Sequence, residues 1–197
     1  MKNIFIFLIL FFISTLSYAC KDINYDYVVK INPKELAKEG CTKQHLQLLK
    51  ANDVDTIKIV NNLKKAGLAD KSSLNLMAFS YYRQGNYKEA LSSRLASNKS
   101  KSSCLLLAKC MWDADIILHY QNAVFYRAAG LKENYEREMW IGDIHFFETC
   151  PLWSNIPNAD KRCTQTRNRY INGVYEMFGH KIVWDYNSDG YLSLFND

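Results

Sequence analysis

Apolar side chains recur every three or four residues over long stretches of this chain, the repeat of one face of an α-helix. Leu46 and Leu49, then Ile57, Val60 and Leu63, keep that interval. Asn52-Asp53-Val54-Asp55 interrupts it and offers an N-cap to the second of two helices. Ala66-Gly67-Leu68 closes that helix, with Gly67 as the left-handed cap. Together they predict an antiparallel helix hairpin. Leu74, Met77, Ala78, Tyr81 and Tyr82 line the next helical face, Gln84-Gly85-Asn86-Tyr87 turns the chain, and Glu89, Ala90, Leu91 and Leu95 build a second helix. Leu105, Leu106, Leu107, Ala108 and Met111 predict another helix, Asn122 to Gly130 a further one, and Tyr135 to Phe147 one more.

The flanks have other patterns. Residues 20–43 show no clean period: Val28 to Ile31 fits a short strand, and Pro33 opens a brief helix through Ala37 that Gly40 ends. From Cys150 to Cys163 the prolines, asparagines and Asp160 predict a loop. Thr166 to Phe178 reads as helix ended by Gly179. Lys181 to Asp185 and Tyr191 to Phe195 alternate in polarity about Asn187-Ser188-Asp189-Gly190, which predicts a small C-terminal β-hairpin.

The first nineteen residues carry a different message. Lys2 precedes an unbroken apolar run from Ile4 to Ile13, and Ser17-Tyr18-Ala19 places small residues at a leader-peptidase cut. This reads as a signal peptide over 1–19, too short to span a bilayer. The mature chain is then exported, periplasmic or secreted, and its sulfur chemistry is oxidising. Cys20 follows the cut. Leu16-Ser17-Tyr18-Ala19-Cys20 loosely resembles a bacterial lipobox, which would put lipid on Cys20 and the protein on a membrane surface. An ordinary cut instead leaves Cys20 free to pair. Six cysteines (Cys20, Cys41, Cys104, Cys110, Cys150, Cys163) make three pairs in the second case and leave one orphan thiol in the first. The loop favours a Cys150–Cys163 bridge, and the other four are unassigned. Cys104 and Cys110 stand six residues apart, on different faces of any shared helix. They therefore pair with other segments, or Cys104 lies just before the helix.

The segment Leu74–Ser97 resembles a tetratricopeptide repeat. Ala78 and Ala90 stand at its small positions, Tyr81 at its tyrosine and Gly85-Asn86-Tyr87 at its turn, while Arg94 and Ser97 replace the usual aromatic and alanine. Asn122 to Gly130 looks like the second helix of a Sel-like repeat, and Ala66, Ala96 and Ala129 recur about 30 residues apart, near the family's period. The resemblance covers roughly residues 45–147. It implies a mainly α fold, a short stack of antiparallel helix hairpins, with a protein- or peptide-binding groove. The aromatic side chains Tyr81, Tyr82, Tyr87, Trp112 and Tyr126 are the candidates to line it. An irregular helical domain whose apolar stripes are plain core is the other reading.

Composition bounds the chemistry. The chain of 197 residues carries a net charge of +5, and losing the leader removes one lysine and no acid, which leaves +4. That mild charge, with one cluster at Lys161, Arg162, Arg167 and Arg169, argues against a nucleic acid partner. No Cys-x-x-Cys, phosphate loop, dinucleotide glycine pattern, nucleophile elbow or zincin motif occurs. Asp185 to Ser193 resembles the start of an EF-hand or dockerin calcium loop. Asp185, Asn187 and Asp189 would supply oxygens and Tyr191 its carbonyl, but Asn196 stands where a bidentate acid belongs. A metal-free polar hairpin tip explains the same residues. Otherwise no cofactor is expected. Asp143, His145 and Cys150 fit a nucleophile set only if Cys150 is reduced.

The expected organisation is a leader (1–19), an N-terminal extension (20–44), a helical repeat-like region (45–149) and a looped subdomain (150–197) within the same domain. The expected function is protein–protein interaction outside the cytosol, of the inhibitor or immunity type. A secreted hydrolase working through Asp113, Asp115 and Glu148, and a structural surface lipoprotein, are the rivals.

Overall fold

The computed structural model of the protein describes residues 33–109, 115–149 and 159–180. Among the described residues all regular structure is helical, and the helices pack as adjacent antiparallel pairs. They are α1 (Pro33–Lys38), α2 (Lys43–Gln47), α3 (Asp53–Lys65), α4 (Lys71–Arg83), α5 (Tyr87–Lys99), α6 (Leu105–Lys109), α7 (Asp115–Ala128), α8 (Lys132–Thr149) and α9 (Ala159–Met177). The strand expected at Val28–Ile31, residues 150–158 of the loop expected over Cys150–Cys163, and the C-terminal hairpin lie outside the described residues, while residues 159–163 of that loop are helical. Two compact units form, one within Met1–Gln84 and Ser92–Trp112, the other within Gly85–Leu91 and Asp113–Asp197.

Short polar side chains start the helices of the first unit. Asn52 Oδ1 accepts the Asp55 N–H at 2.9 Å and caps α3, as its place in the sequence implies. Asp70 caps α4 in a reciprocal box, its Oδ1 accepting from Ser73 N while Ser73 Oγ accepts from Asp70 N, both at 2.9 Å. Thr42 and His45 make the same exchange at α2. The helix expected over His45–Leu49 is a single turn. Leu48, Leu49 and Lys50 each donate to the carbonyl three residues back, which tightens and ends it before Asn52.

The core of this unit gathers Leu36, Leu46 and Leu48 with Val60 and Leu63 of α3, Leu74 and Met77 of α4, and Leu107 of α6. A Cys41–Cys104 disulfide crosses it. Cys104 sits immediately before α6 and pairs with a distant segment, as its spacing from Cys110 implies. Helices α4 and α5 form the hairpin about Gly85. Arg94 donates to Asn75 Oδ1, and Ser97 Oγ donates to the Lys71 carbonyl at 2.8 Å. The two residues that depart from the repeat pattern thus make polar links across the hairpin. Arg94 is 1% exposed.

In the second unit α7 and α8 form the principal pair. Gly130 at φ +77° ends α7, with the Leu131 N–H reaching back to the Tyr126 carbonyl at 2.9 Å. Helix α9 begins at Ala159, well before the expected Thr166. Its first two turns are polar, so periodicity is silent there. The buried face nonetheless starts at Cys163 and continues through Arg167, Ile171, Val174 and Phe178 at helical steps. Phe178 meets the Phe125 ring edge-on at 4.8 Å. Cys163 is disulfide-bonded. The partner expected for it from the sequence, Cys150, lies outside the described residues.

Candidate functional site

Helices α7 and α8 bring together a polar face that no sequence motif marks. His119 and Asn122 lie one turn apart on α7, and Glu138 faces them from α8. His119 Nδ1 is 2.7 Å from Glu138 Oε2, and Asn122 Nδ2 donates to the same oxygen at 3.4 Å. An ionised carboxylate only accepts, so Nδ1 carries a proton and donates it toward Glu138. The His145 ring stacks on His119 at 5.5 Å and 18°. Its own Nδ1 lies 3.7 Å from Glu148 Oε2. Burial, and then the neighbouring Glu138, push the Tyr126 phenol above its ordinary value. Two part-exposed imidazoles, each beside a carboxylate, can accept a hydrogen bond or carry a proton.

A buried clamp holds these helices in place. Tyr120 donates its hydroxyl proton to Asp143 Oδ1 at 2.6 Å, and Arg167 of α9 grips both oxygens of Asp143, at 2.6 and 3.0 Å. Burial and then the Asp143 hydrogen bond raise the Tyr120 phenol far above its usual range, so it stays a donor. Gly142 lets α8 approach: a Cβ there would lie 2.9 Å from Tyr120 Cε1.

Helix α8 also turns an apolar row outward. Trp140 is 65% exposed, and Ile144 and Phe147, half-buried, follow at i+4 and i+7 on the same face. Periodicity places Trp140 in a helix but cannot say whether it points in or out.

The sequence candidates are dispersed. Tyr82 is buried and Tyr81 packs half-buried against the core of the first unit. Tyr87 is exposed on α5, and Tyr126 is half-buried beside Glu138 on α7. Trp112, Asp113, Cys20, Cys110, Cys150 and the calcium candidates Asp185, Asn187, Asp189 and Tyr191 lie outside the described residues. Asp115 opens α7. Asp143 is engaged by Tyr120 and Arg167, so His145 takes Glu148 as its carboxylate and not Asp143. Of the basic cluster, Arg167 is buried in the clamp while Lys161, Arg162 and Arg169 are exposed. Among the described residues no three His, Cys, Asp or Glu side chains are arranged to hold a metal ion. No helix among them is long and apolar enough to cross a membrane.

No protein-family model, curated protein or solved structure matches the chain.

Proposed function

We propose that the protein is an exported interaction module that binds another protein or peptide, of the inhibitor or immunity type, built on degenerate tetratricopeptide or Sel-like hairpins. Trp140 carries this reading. A tryptophan two-thirds exposed on a long helix, with apolar neighbours along the same face, is the kind of residue that dominates protein interfaces. Ala78 and Ala90, at the small positions of the repeat pattern, are each fully buried, which supports the repeat reading. The Cys41–Cys104 bond supports an oxidising compartment. In that compartment Cys20 is either lipid-bearing or paired, and calcium at Asp185, Asn187 and Asp189 is an accessory proposal.

Burying the exposed part of an indole, roughly 130 Å² at about 25 cal/mol/Å², contributes about 3 kcal/mol. Affinity capture from the exported fraction with Trp140→Ala beside the natural protein tests this. The expected result is a partner whose Kd rises about a hundredfold in the variant, with unfolding unchanged. A partner held equally by both refutes the assignment to this face.

A second reading rests on the His119–Glu138 pair, which supplies an oriented base for a secreted hydrolase. It calls for hydrolysis of an ester, amide or glycan that His119→Asn abolishes while the helical content stays constant.

A further inference from the structure

The junction around Asp70 couples a covalent bond to the start of a helix. Residues 33–50 contribute α1 and α2, six and five residues long, too short to persist alone. They dock through Leu36, Leu46 and Leu48, through the Leu105 N–H donating to the Glu39 carbonyl at 2.9 Å, and through the Cys41–Cys104 bond. The same cysteine reaches further. The backbone N–H groups of Ser103 and Cys104 both donate to Asp70 Oδ2, at 3.1 and 3.0 Å. The other oxygen, Oδ1, caps α4. His45 of α2 places Nε2 3.9 Å from Oδ1. One carboxylate therefore joins the 103–104 backbone to the first turn of α4, and the disulfide ties the N-terminal segment to that backbone.

We propose that the Cys41–Cys104 bond is a redox-sensitive lock. Oxidised, it docks residues 33–50 on α3 and α4. Reduced, it releases them and loosens the start of α4. Closing it removes two electrons and two protons from the Cys41 and Cys104 thiols. A dithiol–disulfide exchange partner takes them up, its own disulfide becoming two thiols; opening is the reverse. The chain thus keeps its first unit incomplete in a reducing compartment and completes it on meeting an oxidant of that class. The lock acts whether or not Trp140 is a docking residue.

The bond spans 63 residues of sequence. With α3, α4 and the 103–104 backbone still folded, the loose segment between Cys41 and α3 is residues 42–52, and closing a loop of that length is worth about a hundredfold in the docking equilibrium. Residue-resolved hydrogen exchange on the full chain tests the lock. The oxidised protein is compared with protein treated with dithiothreitol under native conditions and with the Cys41→Ser/Cys104→Ser variant, in which the bond at Cys163 is untouched. The expected result is a loss of about a hundredfold in protection at the Cys41, Leu46, Leu48 and Leu105 amides and a smaller loss at Ser73. The Val60 and Leu63 amides should change less than tenfold. Protection at Leu46 and Leu48 within threefold of the oxidised protein overturns the lock. Equal collapse throughout α3 overturns it too, because the bond is then a general brace. A bond that dithiothreitol cannot open without denaturant also overturns it.

Discussion

Gly40 and Gly67 share the same backbone angle, φ +69°, but not the same surroundings. Alanine at either site incurs the left-handed penalty, about 1 kcal/mol. At Gly67 nothing lies within 4 Å of the added Cβ, so the cost stops there. At Gly40 the Cβ would sit 1.9 Å from the Ser103 carbonyl oxygen and 2.8 Å from its carbon. Backbone has to move, and that backbone cannot move freely. Ser103 and Cys104 donate to buried Asp70, and Cys104 is bonded to Cys41. Losing those two charge-assisted hydrogen bonds costs about 1.5 kcal/mol each, so Gly40→Ala should cost about 4 kcal/mol against about 1 for Gly67→Ala. Urea unfolding of the oxidised proteins, followed by circular dichroism, reads the difference. With a slope of about 2 kcal/mol/M the midpoints should separate by about 1.5 M. Midpoints that coincide refute the close approach of Gly40 to the Asp70 junction.

Other outcomes follow from the same geometry. His45 Nδ1 accepts from Thr42 N at 3.1 Å and makes a 2.9 Å hydrogen bond with Thr42 Oγ1, an arrangement that protonation at Nδ1 destroys. Burial holds the His45 pKa below 6.5 despite Asp70 and the Leu68 carbonyl. The folded state therefore prefers the neutral ring. Its contribution is complete above pH 6.5 and declines as pH falls from there through the lowered value. The urea midpoint should drop between pH 7 and 5, and His45→Gln, which can still close a capping box, should flatten that part of the slope. A slope unchanged in His45→Gln removes His45 from the account. Gly142→Ala forces a methyl against the Tyr120 ring, which Asp143 holds by its hydroxyl. Thermal unfolding should show a loss of about 2 kcal/mol, and a neutral variant would contradict the clamp.

The helices were legible because their apolar residues keep the 3.6 period and glycines end them. Gly40, Gly67, Gly85, Gly130 and Gly179 all adopt positive φ. Two boundaries were not legible, for opposite reasons. Helix α2 stops after one turn because tight local hydrogen bonds redirect the chain. Helix α9 starts early in a polar stretch that tertiary burial recruits. The His119 face was hidden because its members come from two helices, 19 residues apart in the case of His119 and Glu138. Asp70 looks in sequence like a residue of a turn. Its role appears only when Ser103 and Cys104, more than 30 residues on, bring their N–H groups to it. The aromatic candidates illustrate the same limit: Tyr81 and Tyr82 are neighbours on a helix that buries one and half-buries the other. The repeat resemblance nominated four tyrosines and Trp112 as groove residues, whereas the most exposed aromatic side chain among the described residues is Trp140.

The account depends most on sulfur acting as a fastener in an oxidising setting. Acid quenching of the native cells, blocking of free thiols and mass mapping of the chain read that state directly. The expected result is a cross-linked pair of peptides containing Cys41 and Cys104, with neither residue labelled. Full labelling of both would contradict the export and the oxidised docking of residues 33–50.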